Sequence, residues 1–299
     1  MKSTTNKKAT IGLVQMRMSA ERDANLAYAL EHARALAMRG AQIICLPELF
    51  LNPYFCQTKD SSLFDLAESI PGPATDDFAL LASETKTVIL LPLFEKSADG
   101  RYFNSIAVIG TTGKILGVYH KMHIPSLPPD LYAENFYFEK GDTGFIVIDT
   151  PYASIAPLIC YDQWFPESAR IAAANGAQIL FYPTAIGWPT GPRLQAETLD
   201  RAEYEAWQVI QRGHAIANTV FVAAANRVGH EANLKFWGTS FVSNPYGTLI
   251  AKASTDKAED LIVECDLSII DQMRADWPFL DERRIKCEQA PSSDRKPVS

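Results

Sequence analysis

Apolar positions along the chain change period in a regular way. Residues 10–15 form a short apolar stretch closed by a glutamine, which predicts a first strand. Residues 20–38 switch to a helical period: Leu26, Leu30, Ala33 and Ala37 are spaced four, three and four apart and share one face. Gly40 is placed to cap that helix. Residues 42–46 then return to a continuous apolar run, as in a strand buried on both faces, and stop at Pro47-Glu48.

The same helix, turn and strand order comes back further along. Gly40-Ala41-Gln42-Ile43 is matched by Gly176-Ala177-Gln178-Ile179, and the strand endings match as Pro47-Glu48 and Pro183-Thr184. A second echo follows in the same order. Residues 102–109 and 114–120 flank Thr111-Thr112-Gly113, while 236–243 and 248–253 flank Asn244-Pro245-Tyr246-Gly247; both read as hairpins. A four-residue match of common types is a weak signal, and the ordered second match strengthens it. The pattern predicts two similar halves, each a sheet backed by helices. Two such sheets bury both apolar faces only if they stack with helices outside, so the expected fold is α/β, a four-layer α-β-β-α sandwich. No linker or low-complexity segment interrupts it. One domain over 1–299 is expected, with an ordered core of about 9–287 and polar tails at 1–8 and 288–299.

Composition narrows the class. The 299 residues are 47% hydrophobic and 21% charged, which suits a globular chain with a large core. The net charge is −7 and no block of Lys and Arg stands out, which argues against a nucleic-acid partner. Cys45, Cys56, Cys160, Cys265 and Cys287 are odd in number, widely spaced and contain no Cys-x-x-Cys pair. Neither a disulfide framework nor a zinc site is expected, and a reducing compartment suits the chain. The apolar run after Lys2, Lys7 and Lys8 stops at Gln15, too short for a signal-peptide core, and no run approaches the ~20 residues of a membrane helix. The expectation is a cytoplasmic protein with no membrane partner. The five histidines contain no His-Glu-x-x-His and neither nucleotide-binding glycine fingerprint occurs, so no metal and no cofactor is expected.

Three reactive residues share one context. Glu48, Lys121 and Cys160 each lie just past the C-terminal end of an expected strand, the edge at which α/β folds collect reactive loops. Cys160 stands out. A strand leads into Cys160-Tyr161-Asp162-Gln163 and a helix is expected to start near Pro166-Glu167, so the turn reads as a nucleophile elbow. A nearby helix N-terminus favours thiolate over thiol. A cysteine is more often a core residue, and a single Glu or Lys at a strand end is more often solvated. The set of three outweighs those readings.

Those residues carry a resemblance. Leu46-Pro47-Glu48-Leu49-Phe50, Tyr119-His120-Lys121-Met122-His123-Ile124-Pro125 and Leu158-Ile159-Cys160-Tyr161-Asp162 resemble the three signature segments of the nitrilase, or carbon–nitrogen hydrolase, superfamily, in its order. The resemblance runs from about Thr10 to Arg284. Within it, Asp162-Gln163-Trp164-Phe165-Pro166-Glu167, Phe181-Tyr182-Pro183-Thr184-Ala185-Ile186-Gly187 and Gly238-Thr239-Ser240-Phe241 are similar to the N-carbamoylputrescine amidase branch. So is Asn135-Phe136-Tyr137-Phe138 with Gly141-Asp142-Thr143-Gly144-Phe145. Residues 126–131 and 188–192 depart from that branch.

The resemblance implies hydrolysis of a non-peptide C–N bond in a small carbamoyl or amide substrate, such as N-carbamoylputrescine. In it Glu48 carries the proton, Cys160 attacks, and Lys121 with the Tyr161 N–H stabilises the oxyanion. It implies a positioning role for Glu134 and assembly as a homodimer or larger homo-oligomer. Tyr54, Trp164, Thr184 and Asp130 are pocket candidates, and Asp130, Glu197 or Asp162 are candidates for holding a cationic tail. Rival readings are a Cys–His hydrolase using His123 or His214, another carbon–nitrogen hydrolase (β-ureidopropionase, D-carbamoylase, ω-amidase or nitrilase), and a catalytically silent scaffold.

Overall fold

A computed structural model of the chain describes residues 8–126, 131–191 and 196–284. The expectations for residues 1–7 and 285–299, Cys287 among them, and for Asp130 lie outside the described residues. The first half runs β1 (Lys8–Gln15), α1 (Arg22–Met38), β2 (Ile43–Cys45), α2 (Pro73–Thr85), β3 (Val88–Lys96), β4 (Tyr102–Ile109) and β5 (Ile115–His120), followed by the short helix α3 (Glu134–Tyr137). The second runs β6 (Ile148–Asp149), β7 (Ser154–Pro157), α4 (Pro166–Ala174), β8 (Ile179–Thr184), β9 (Gly187–Pro189), α5 (Ala196–Asn218), β10 (Phe221–Asn226), β11 (Val228–Glu231), β12 (Leu234–Trp237), β13 (Phe241–Ser243) and β14 (Leu249–Lys252). β15 (Glu259–Asp266) and α6 (Ser268–Asp276) close the described chain.

Among the described residues, two six-stranded sheets form, ordered β15-β1-β2-β3-β4-β5 and β6-β7-β8-β10-β13-β14. They match strand for strand. In each, the first pairing is antiparallel, the next two parallel and the last two antiparallel. The repeated tetrapeptides match bond for bond. Gly40 and Gly176 take φ of +98° and +102°, conformations that suit glycine. Gln42 and Gln178 each accept a bond through the side chain from the strand that pairs in parallel with the one they lead into, from Thr10 N of β1 at 2.9 Å and Ser154 N of β7 at 3.0 Å.

Alternation along the strands builds the layers. Ile43 and Cys45 of β2 join Ile11, Val88 and Leu90 in a core shared with Ile155, Ile179 and Phe221 of the opposite sheet. Ile44, Ile89 and Leu91 face the other way and pack on Ala29, Ala33 and Leu36 of α1 and Phe78 of α2. On the far side, Tyr182 of β8 stacks on His214 of α5, and alanines of α4 join the core. The result is the α-β-β-α sandwich.

Three details differ from the pattern read in the sequence. The buried face of α1 is Asn25, Ala29, Ala33 and Leu36, with Leu26, Leu30 and Ala37 flanking it. Asn25 turns inward because its amide donates to the Leu51 and Ser19 carbonyls, each at 2.9 Å. Lys8, expected in a polar tail, is the first residue of β1 and pairs with Glu264. Finally, residues 236–243 are not one strand. Gly238 and Thr239 take φ of +56° and +50°, which breaks the run. Phe236 and Trp237 belong instead to a small sheet, β11-β12-β9, unanticipated from sequence.

Candidate active site

The structure brings the three strand-end residues into one region: Lys121 pairs with Glu48 and Glu134, and Cys160 lines the same cavity as Glu134. The chain leaves β2 through Pro47 and turns at Leu49, whose φ is +51°. Lys121 is the first residue past β5, its N–H donating to Asn104 O at 2.9 Å and its carbonyl accepting from Gly141 N at 2.8 Å. Position 141 needs glycine, because a Cβ there would lie 2.2 Å from the His120 carbonyl oxygen. Cys160 opens a 3₁₀ turn (Cys160–Trp164) with φ +38°. A left-handed non-glycine costs about 1–3 kcal/mol. Burial of one or two Leu or Ile side chains, about 1.5–3 kcal/mol each, offsets that, so the packed frame can hold the strain.

Asp162 ties the elbow down. Its Oδ2 accepts from Ile159 N at 2.9 Å and Tyr119 OH at 2.7 Å, and its Oδ1 accepts from His123 N at 3.1 Å. His123 Nδ1 pairs with the same oxygen at 2.7 Å, and its ring stacks on Phe165. His214 pairs through Nε2 with Gln163 O at 2.8 Å. Both histidines are therefore bonded to the turn that follows Cys160. Asp162 is buried in this network, which removes it as an anchor for a cationic tail.

The charges sit in one buried cluster. Lys121 Nζ donates to Glu48 Oε1 at 2.7 Å and to Glu134 Oε2 at 2.6 Å, with all three side chains essentially inaccessible. Asn104 Nδ2 donates to Glu48 Oε1 at 2.8 Å and Tyr54 OH to Glu134 Oε1 at 2.7 Å. Glu48 Oε2 is buried with no hydrogen-bond partner among the described residues. Burial alone would push the Lys121 ammonium down, but Glu134 and Glu48 together hold it well above the usual lysine range. Burial lifts the Glu134 carboxyl to about 7 against the pull of Lys121. Burial, then the Glu48 charge, hold the Cys160 thiol well above its ordinary range, while Lys121 and a hydrogen bond from the Ala185 backbone pull it down. The expectation of a helix-favoured thiolate is corrected here: desolvation and a neighbouring carboxylate outweigh the turn.

A cavity of about 520 Å³ opens over this cluster. Glu134 and Cys160 line it together with Leu131, Tyr132, Tyr161, Trp164, Ile186 and Trp237. Tyr54 and Thr184 are corrections to the pocket list. Tyr54 is fully buried behind Glu134, and Thr184 donates to Tyr182 O at 2.9 Å inside the fold, while its neighbours Ile186 and Gly187 reach the wall. Glu197 lies exposed on α5, away from the lining, and Asp130 is outside the described residues. Residues the sequence reading missed are Asn104, Tyr132, Arg227 and Glu203. Glu203 and Ala206 bring α5 to the wall. That helix is held to the elbow by Trp207 Nε1 and Gln211 Nε2, which donate to Gln163 Oε1 at 2.9 and 3.0 Å. Glu203 carries no sequence signal, since an acid on a polar helix face reads as solvated.

Among the described residues, no group of three or more His, Cys, Asp or Glu is arranged to hold a metal ion, and no helix is long and apolar enough to cross a membrane.

A stacked sandwich with a buried carboxylate–lysine–carboxylate cluster beside a cysteine elbow is the frame of a C–N bond hydrolase. Residues 10–275 match the carbon-nitrogen hydrolase family, and the chain belongs to it. It is 39% identical over 288 residues to the N-carbamoylputrescine amidase of Solanum lycopersicum, covering 93% of each chain. It is also 39% identical over 279 residues to the citrullinase of Francisella tularensis subsp. tularensis, covering 92% of this chain and 94% of that one. The crystal structure of a carbon-nitrogen hydrolase from Helicobacter pylori G27 superposes with a TM-score of 0.87 at 37% identity, covering 93% of this chain and 96% of that one.

Proposed function

We propose that this hydrolase removes the carbamoyl group from a terminal N-carbamoyl amine, with N-carbamoylputrescine as the substrate and putrescine, carbon dioxide and ammonia as products. The observation that carries this reading is the clamped Lys121 between Glu48 and Glu134 at the cysteine end of a pocket whose charged lining, among the described residues, is acidic only: Glu134 and Glu203. Glu134 is engaged by Lys121, so the discrimination falls on Glu203: an acid in the wall favours a substrate whose far end is an ammonium and disfavours one ending in a carboxylate. The tomato relative's name supports the same substrate.

The chemistry follows from the charges. Cys160 rests as a thiol, so attack needs a base, and Glu48 has a buried oxygen unoccupied by any described donor. Glu48 takes the thiol proton as the sulfur adds to the carbamoyl carbon. Negative charge moves to the carbonyl oxygen, where Lys121 and the Tyr161 N–H stabilise it; one such donor is worth about 3–4 kcal/mol in a dry site. Glu48 returns the proton to the departing amine, leaving a carbamoyl thioester. Water, deprotonated by Glu48, then adds to the thioester. Collapse frees the Cys160 sulfur and carbamic acid, which decomposes to carbon dioxide and ammonia. Glu134 holds Lys121 in place throughout.

The test is ammonia release from N-carbamoylputrescine beside L-citrulline, N-carbamoyl-β-alanine and simple aliphatic amides. N-carbamoylputrescine should give the highest kcat/KM. Citrulline carries the same ureido group plus an α-carboxylate, so it should rank lower. A preference for N-carbamoyl-β-alanine would reject the acidic-wall argument.

A further inference from the structure

The carboxylate–lysine cluster is one side of a closed ring whose other side is a buried ion pair from the second half of the chain. Arg227 lies between β10 and β11 and is fully buried. Its Nη2 donates to the carbonyl oxygens of Glu48 at 2.6 Å and Leu49 at 3.0 Å, and its Nη1 donates to Asn52 O at 3.3 Å. The same Nη1 donates to both oxygens of Glu231, at 3.1 and 2.8 Å. Glu231 Oε2 also accepts the Tyr54 N–H at 2.6 Å. Tyr54 passes the connection on, its hydroxyl donating to Glu134 at 2.7 Å, and Glu134 holds Lys121, which holds Glu48. The circuit Arg227, Glu231, Tyr54, Glu134, Lys121, Glu48 returns to its start.

We infer that the Arg227–Glu231 pair is the positioning element of the site, setting Glu48 and Glu134 at one fixed spacing about Lys121. The physical need is specific. The turn that carries Glu48 is buried and left-handed at Leu49, so its carbonyls have no water to bond and require a donor. A guanidinium is the side chain with the reach and fork to serve three carbonyls and a carboxylate at once. Tyr54 and Phe236 place their rings against it, with the guanidinium carbon 5.8 and 5.3 Å from the ring centroids, which fixes its plane. Neither Arg227 nor Glu231 lines the substrate cavity, so both act through other residues. This inference rests on the roles proposed above for Glu48 and Lys121.

Arg227→Met, Arg227→Lys and Glu231→Gln test it, with two readouts. The first is kcat and KM for N-carbamoylputrescine, normalised to the fraction of Cys160 that alkylates. Displacement of a reacting group by about 1 Å costs about a hundredfold, so Arg227→Met should lose about that in kcat with KM little changed. Arg227→Lys, which keeps the charge but not the fork, should recover part of the loss. The second readout uses no substrate: the pH dependence of Cys160 alkylation by iodoacetamide. Its midpoint should fall in Arg227→Met and Glu231→Gln, because Glu48 moves away from the sulfur. A purely structural role would lower the thermal midpoint and the yield of alkylatable protein while leaving kcat per site and the alkylation midpoint at wild-type values, and that result overturns the inference. Should Arg227→Met not fold, wild-type kcat per site in both Arg227→Lys and Glu231→Gln overturns it equally. Lack of turnover in the wild type would count against the proposed substrate, while a shifted alkylation midpoint would still support the ring.

Discussion

At the end of β2 the chain turns through Pro47 into Glu48, past the strand; at the matching place Pro183 and Thr184 are the last two residues of β8 and stay paired with Ala225 and Asn226 of β10. The backbones up to that point are equivalent, down to the glycine caps and the glutamines that seal each strand start. The next side chains differ in kind. Glu48 enters a buried cluster with Lys121 and Asn104, whereas the Thr184 hydroxyl donates to the nearby Tyr182 carbonyl. The first half contributes Glu48, Lys121 and Glu134, and the second contributes Cys160 and the Arg227–Glu231 pair. A doubled frame thus positions two edges rigidly, and the chemistry arises because each edge carries different residues.

Removing the distinctive group at each of the two equivalent positions breaks the comparison most sharply. Glu48→Gln keeps the shape and removes the proposed base, and kcat should fall by about ten-thousandfold or more, as for other members of a catalytic unit. Thr184→Val should cost about 1 kcal/mol of stability through its lost hydrogen bond and leave kcat near wild type. Steady-state kinetics and a denaturant melt on both variants read this out. Equal losses of activity would mean that the halves are not divided as described.

A smaller effect is expected at the pocket's far wall. Glu203→Gln should lower kcat/KM for N-carbamoylputrescine by about fivefold, the size of a partly solvated ion pair. It should leave an uncharged N-alkylurea unaffected. An identical loss on both substrates would show that Glu203 shapes the wall without recognising charge.

The smallest effect is one of pH. Burial raises Glu134 from its ordinary 4.5 to about 7, so the folded protein retains a proton there that the unfolded chain releases. Between those two values the folded state binds more protons, and stability from this group is lost as pH rises. Glu134→Gln cannot titrate. Its melting temperature relative to wild type should therefore climb from pH 5 to pH 8, and a flat difference would contradict the raised carboxyl.

The doubled frame was legible in the sequence because its markers obey local rules. A glycine at positive φ, a glutamine reaching one strand over and a strand closing on proline each need only a few neighbouring residues. Glu48, Lys121 and Cys160 were legible for the same reason, as strand-end residues within recognisable segments. What escaped depends on distant partners. Asn25 reads as a solvated helix residue until the Leu51 carbonyl is placed against it. Glu203 resembles any exposed acid until α5 is docked on Gln163. Arg227 shows its purpose only when the opposite half supplies the Glu48 turn. The Cys160 thiol also went the other way from its local context, because desolvation is a property of the whole fold.

The central claim is that the sulfur of Cys160 takes up the carbamoyl carbon. Rapid acid quenching of the enzyme during turnover of N-carbamoylputrescine, followed by peptide mass spectrometry, tests it directly. One carbamoyl group should appear on the peptide containing Cys160 and be absent from inactive Cys160→Ala. Sustained ammonia release by Cys160→Ala, with no adduct on the wild type, would contradict the account.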